Sequence, residues 1–219
     1  MAARDNPDIR PAPRLYLAAT VTDDAVTLGR TLAELAKEAG VAAVLLRNAT
    51  ADTKAIKTLI AAVQAAGAAV LIDGDAGLAQ TLGADGVHVT GTASLKGALD
   101  LLKPNGIVGV GGLKSRHNAM TAGESLADYM LFGEPDSNAV RPSTEAIIER
   151  VAWWAELFEP PCVAYAATID EARNFATAGA DFVLVADLVW NDPRGARTAL
   201  MDADAAIRQN ASETGSSQS

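Results

Sequence analysis

The chain has a single cysteine, Cys162, so no disulfide can form within it. That excludes a small scaffold held by cross-links and fits a reducing compartment. Aromatic residues are scarce, at 5%, although 49% of the residues are apolar. A core must therefore be filled with Ala, Val, Leu and Ile, as in parallel strands covered on both faces. Positive charge is also in short supply: 18 Lys and Arg face 27 Asp and Glu, for a net charge of −9. Such a surface repels nucleic acid and anionic membranes, because both recruit Lys and Arg. It does not exclude a small anionic ligand, since local cations decide that. No apolar run approaches the roughly 20 residues of a membrane span. The opening stretch, MAARDNPDIRPAPR, lacks the apolar segment of a secretory signal. These absences point to a cytoplasmic protein whose partner is a small molecule.

What is present is a repeated unit. A short apolar run is followed by small or polar residues and then by an amphipathic stretch, often closed by Gly. The strand candidates are RLYLAAT (14–20), VAAVLLR (41–47), AAVLID (68–73), DGVHVT (85–90), IVGVGG (107–112), DYMLFG (128–133), CVAYAA (162–167) and DFVLVAD (181–187). Between them, DDAVTLGRTLAELAKEAG places Val26, Leu28, Leu32, Leu35 and Ala36 near one helical face and stops at Gly40. STEAIIERVAWWAELFEP opens on a Ser/Thr cap and ends at a proline. Three strands are preceded by the same small-residue signature: GAD at 83–85, LAD at 126–128 and GAD at 179–181.

Eight alternating βα units predict a (β/α)8 TIM barrel over residues 14–208. A flexible arm is expected at 1–13 and a disordered tail at 209–219, where the sequence turns small and polar. A doubly wound open sheet is the alternative. Against it, LYLAATVTDDA after the first strand contains no glycine and so no phosphate fingerprint.

A barrel of this kind carries its chemistry at the C-terminal ends of the strands. Those ends offer Thr20, Arg47, Asn48, Asp73, Asp75, Thr90, Gly111, Gly112, Gly133, Glu134, Thr168 and Asp187. Side chains alternate along a strand, which puts Leu45, Arg47 and Ala49 on one face. Two readings of Arg47 stay open: a ligand contact, or an ion pair with Asp73 of the next strand. Asp73 and Asp75 fit a hard cation or ordinary helix capping. His88 reads as a core histidine with its hydrogen bonds satisfied, and His117 as a surface residue. Trp153 and Trp154 read as packing outside the barrel, and Cys162 as a small core residue.

LLR (45–47), LGADGVHV (82–89), LADYMLFG (126–133) and AGADFVLVADLV (178–189) carry a resemblance to the thiamine phosphate synthase family, including its thiazole tautomerase branch. It runs from RLYLAAT to about Leu200. It implies a (β/α)8 barrel that joins a pyrimidine pyrophosphate to a thiazole phosphate with Mg2+, and a cytoplasmic homo-oligomer. Carried over by position, it implies a catalytic role for Arg47. It implies substrate binding by Arg47, Asn48, Gly111, Gly112, Gly133, Arg141, Ala167, Thr168 and Asp187, and metal binding by Asp73 and Asp75.

Against the family pattern Gln-x-Arg-x-Lys, Leu45 and Ala49 flank Arg47. Where the family has Asn-Asp-Arg, this chain has Asp73, Gly74 and Asp75. The Gln and Asp after the fourth strand are Gly91 and Ala93, the fifth-strand Ser is Gly111, and the His beside it is Leu113. After the sixth strand, EPDSNAVRPST has Arg141 as its one cation. The seventh-strand Gly-Gly is Ala166-Ala167, and the eighth-strand Ser is Asp187. A carboxylate at 187 faces a phosphate with like charge, and the two alanines narrow its approach. The pattern thus predicts a divergent member with degraded phosphate and magnesium sites, or a small-molecule-binding paralogue without synthase activity.

Overall fold

Strand alternation sorts the apolar residues into two cores. One fills the barrel and the other lies between barrel and helices. The computed structural model describes residues 11–49 and 52–213. Its strands are β1 (Arg14–Thr20), β2 (Ala43–Arg47), β3 (Ala69–Asp73), β4 (Gly86–Thr90), β5 (Ile107–Gly111), β6 (Tyr129–Phe132), β7 (Cys162–Ala166) and β8 (Phe182–Val185). All are parallel and pair in chain order, and β8 closes on β1. Closure rules out the open sheet and gives the expected (β/α)8 barrel. The helices are α1 (Ala25–Ala39), α2 (Thr53–Ala65), α3 (Ala76–Leu82), α4 (Thr92–Leu102), α5 (Arg116–Glu124), α6 (Thr144–Leu157), α7 (Ile169–Thr177), α8 (Asp187–Trp190) and α9 (Ala196–Glu213). None of the described helices is long and apolar enough to cross a membrane.

Tyr16, Ala18, Leu45, Leu71, Tyr129, Leu131, Val163, Tyr165 and Leu184 point inward and pack on one another. Their neighbours one residue along, such as Leu15, Leu17, Val44, Leu46, Val70 and Ile72, pack under the helices. The α1 face differs from its expected set. Val26 is exposed, and the helix buries Ala25, Gly29, Leu32, Leu35, Ala36 and Ala39 instead. Gly29 belongs there because a Cβ would come within 2.8 Å of Leu59 Cα on α2.

The repeated Asp before three strands performs one task three times. Asp85 donates its N–H to Val70 O and accepts Val70 N–H at its carboxylate (2.7 Å). Asp128 does the same with Val108, and Asp181 with Cys162. Each joins the start of an even-numbered strand to the strand before it, satisfying backbone groups at the sheet's N-terminal rim.

Local caps follow the sequence. Ser143 accepts from Ala146 N to start α6, and Gly40 ends α1 in the left-handed region (φ 61°). Trp154 is fully buried and donates to Pro160 O (2.8 Å), whereas Trp153 lies under Arg116 (5.0 Å). Helix α9 runs to Glu213, so residues 209–213 of the expected tail are helical. Residues 1–10 of the arm and 214–219 of the tail lie outside the described residues.

Candidate functional site at the barrel mouth

The inward phase of the strands ends at the mouth on Thr20, Arg47, Asp73, Thr90 and Gly111. Thr20 is in register with Arg47, Asp73 with His88, and Thr90 with Gly111. Arg47 Nε lies 4.0 Å from Asp73 Oδ2, with side chains 31% and 37% exposed. A half-exposed pair at that separation contributes about 0–1 kcal/mol, so it holds Arg47 loosely. Burial raises the Asp73 pKa, while His88 and Arg47 oppose that shift. Asn48 is exposed and left-handed (φ 54°), which ends the alternation. Ala49 consequently packs in the outer core, on the opposite side from Arg47 and Leu45.

Beneath the mouth a buried polar chain crosses the barrel. The Tyr16 and Tyr129 hydroxyls are 3.0 Å apart, and Tyr129 Oη is 3.0 Å from His88 Nδ1. His88 Nε2 then faces Glu134 Oε2 at 3.5 Å. Burial, above all, pushes both tyrosine pKa values up, so both stay neutral donors. Tyr129 lies over Gly109, where any Cβ would collide with its ring, and stacks on His88 (centroids 5.7 Å). Glu134 lies over Gly111, where a Cβ would meet its carboxyl carbon at 2.7 Å and His88 Nε2 at 2.9 Å. His88 is therefore buried as expected but only half satisfied: among the described residues Nε2 has no hydrogen-bond partner, nor has Glu134 Oε1.

Arg141 and Glu171 form a different kind of pair. Arg141 donates to both Glu171 oxygens (2.8 and 3.1 Å), to Gly133 O and to Tyr165 O. Glu171 also accepts from Thr144 Oγ1 (2.6 Å) and Ala167 N (2.8 Å). Thr168 caps α7 by accepting Glu171 N. Three residues expected to bind substrate, Arg141, Ala167 and Thr168, are thus gathered around an internal carboxylate. Gly133 (φ 87°) supplies only its carbonyl, and Gly112 (φ 65°) faces Thr90. Asp187 opens the one-turn helix α8, is exposed, and adds to burial in raising the Tyr165 pKa.

The two residues expected to bind metal each have a contact within the chain. Asp75 Oδ1 accepts Leu78 N (2.8 Å) as the cap of α3, and Asp73 faces Arg47. Among the described residues, no three His, Cys, Asp or Glu are grouped to hold a metal ion. Magnesium is commonly held by one or two carboxylates together with substrate phosphates and water, so here Asp73 is the residue that would meet it, from beside Arg47. A concavity of about 580 Å³ lined by Lys103, Pro104, Leu126 and Pro160 lies at the opposite end of the barrel, away from these groups. Tyr16, Tyr129 and Glu171 were not anticipated as site residues, and Glu134 was expected only as a strand-end residue with no role assigned. The inward-facing Gly109 and Gly111 were the one local sign that large side chains must lie across β5.

Fold and mouth define a (β/α)8 barrel of the type that handles small molecules at the C-terminal ends of its strands. Comparison narrows this. The family model described as thiamine monophosphate synthase matches residues 15–189. The thiamine-phosphate synthase of Rhodospirillum centenum is 38% identical over 202 residues, covering 89% of this chain and 98% of the relative. That of Hyphomonas neptunium is 36% identical over 208 residues, covering 90% and 94%. The solved thiamine phosphate pyrophosphorylase from Pyrococcus furiosus superposes with a TM-score of 0.71 at 24% identity, covering 90% and 96%, a likeness of fold. The chain belongs to the thiamine monophosphate synthase family.

Proposed function

We propose that this chain is a divergent family member that holds a small molecule at the barrel mouth without efficiently coupling a pyrimidine pyrophosphate to a thiazole phosphate. The observation that carries this reading is the engagement of Glu171. It occupies Arg141, the one cation in the loop between β6 and α6, together with the Ala167 N–H. A phosphate would have to displace a buried, fully hydrogen-bonded carboxylate to use either group. Asp73, Glu134 and Asp187 add negative charge at the same end of the barrel, where the loosely paired Arg47 and the exposed Lys114 are the cations on the β2 and β5 ends. Like charges brought to contact cost kcal/mol even when partly screened.

The test is product formation from the two thiamine precursors with Mg2+, beside a family member that has the full Gln-x-Arg-x-Lys pattern. The expected rate is at least ~1000-fold lower, the scale of losing one or more preorganised charge contacts. A rate within about tenfold of the reference enzyme would overturn the reading. That outcome would favour a second reading, an active synthase in which Arg47 turns from Asp73 to the substrate. Its support is the loose 4.0 Å pair and the synthase name carried by relatives aligned over nearly their full length.

A further inference from the structure

Two glutamates, Glu134 and Glu171, enter this barrel end, and they are treated very differently. Glu171 accepts hydrogen bonds from Arg141, Thr144 and Ala167. Glu134, with a side chain 15% exposed, has only His88 Nε2 at 3.5 Å, and its Oε1 is buried with no partner. A carboxyl group left half satisfied in a buried position is costly, so Glu134 is not placed there by the stability of its own contacts.

Its surroundings, in contrast, are fixed without it. Tyr16 and Tyr129 hold His88 through Nδ1. The tautomer that lets each hydroxyl donate along this chain puts the ring proton on Nε2. In that tautomer, the one compatible with the Glu134 carboxylate facing it, Nε2 is a buried donor, in a side chain 2% exposed, aimed at the space above Gly111. The space exists because residue 111 has no Cβ; a methyl group there would overlap the carboxylate.

We propose that the space between Gly111 and His88 Nε2 is a carboxylate subsite that Glu134 occupies from within the chain, and that a small carboxylate-bearing ligand takes its place. This rests on the reading of the mouth as a small-molecule site and names the ligand class. The exchange leaves local charge unchanged, because one carboxylate replaces another. A diphosphate would instead add charge beside Asp73, in register with His88. Glu134 follows Gly133, whose left-handed backbone (φ 87°) starts the exposed segment 135–140 into which the side chain can turn. A tethered carboxylate competes at an effective concentration on the order of millimolar or more, so removing it unmasks the subsite.

The test uses the full chain, its Glu134→Ala variant and acetate or formate as probes, read by the ¹⁵N resonances of His88 and by thermal melting. In Glu134→Ala, acetate should shift His88 Nε2 and raise the melting temperature, with an affinity at least ~10-fold above wild type. Adding His88→Asn should abolish both responses. Glu134→Gln, nearly isosteric, guards against misfolding and should bind acetate more tightly than wild type. Unchanged His88 resonances in folded Glu134→Ala and Glu134→Gln at roughly 100 mM acetate would overturn the proposal, as would equal affinity in wild type and variants. The readout is anion binding, not product. High synthase activity would overturn the functional reading and leave this result standing on its own.

Discussion

Gly109→Ala should destabilise the barrel by about 3 kcal/mol or more, measured by urea unfolding at neutral pH. The added methyl would lie within the Tyr129 ring, in contact with Cζ, Cε1 and Oη. A flexible side chain could yield, but Tyr129 is 7% exposed and enclosed by the inward core. Moving it breaks the 3.0 Å contacts to Tyr16 and His88 and leaves buried hydroxyl and ring nitrogen groups unpaired. The loss is then overpacking plus unsatisfied polar groups. Tyr129→Leu removes the obstruction, so Gly109→Ala should cost much less in that background, a coupling of about 1–2 kcal/mol. A single-variant loss under about 0.5 kcal/mol would show that the ring does not depend on the missing Cβ.

Arg141→Met should cost about 2–4 kcal/mol at neutral pH, because it strands a carboxylate with an 11% exposed side chain beside Thr144 and Ala167. It also frees the segment after β6 from its bonds to Gly133 O and Tyr165 O. Burial pushes the Glu171 pKa up, but hydrogen bonds from Thr144, Ala167 and Arg141, with the Arg141 charge, outweigh it and hold the value below 4.5. A carboxylate depressed in the folded state contributes stability that is present above its unfolded pKa. That stability is lost as pH falls through the lower, folded value. Wild type should therefore lose stability on the acid side of about pH 4.5 more steeply than Arg141→Met, and the two should converge there. Parallel curves from neutral to acid pH would mean that Arg141 acts by packing alone.

How much of this was legible depends on the range of each interaction. Strand phase, the Ser143 cap and the Gly40 stop are set within a few residues, and they stand in the structure as the sequence implies. The reading of Ala49 beside Arg47 failed at one backbone angle. Asn48 adopts a left-handed conformation, which Asn tolerates better than most residues, and it turns the next side chain into the outer core. That signal was present in the sequence. No comparable local signal links Arg141 to Glu171, 30 residues away, or His88 to Tyr129, 41 residues away.

By itself, the sequence determined the eight βα units, the small-residue core and the repeated Gly/Leu-Ala-Asp entry to three strands. These follow from periodicity, composition and neighbouring backbone groups. Only the tertiary structure decided what the mouth residues do. Barrel closure brings β4, β5 and β6 side by side, so Gly111 admits Glu134 over His88, and it turns Arg141 onto Glu171. Hydrogen bonding and charge pairing act over a few ångströms in space, whatever the separation along the chain.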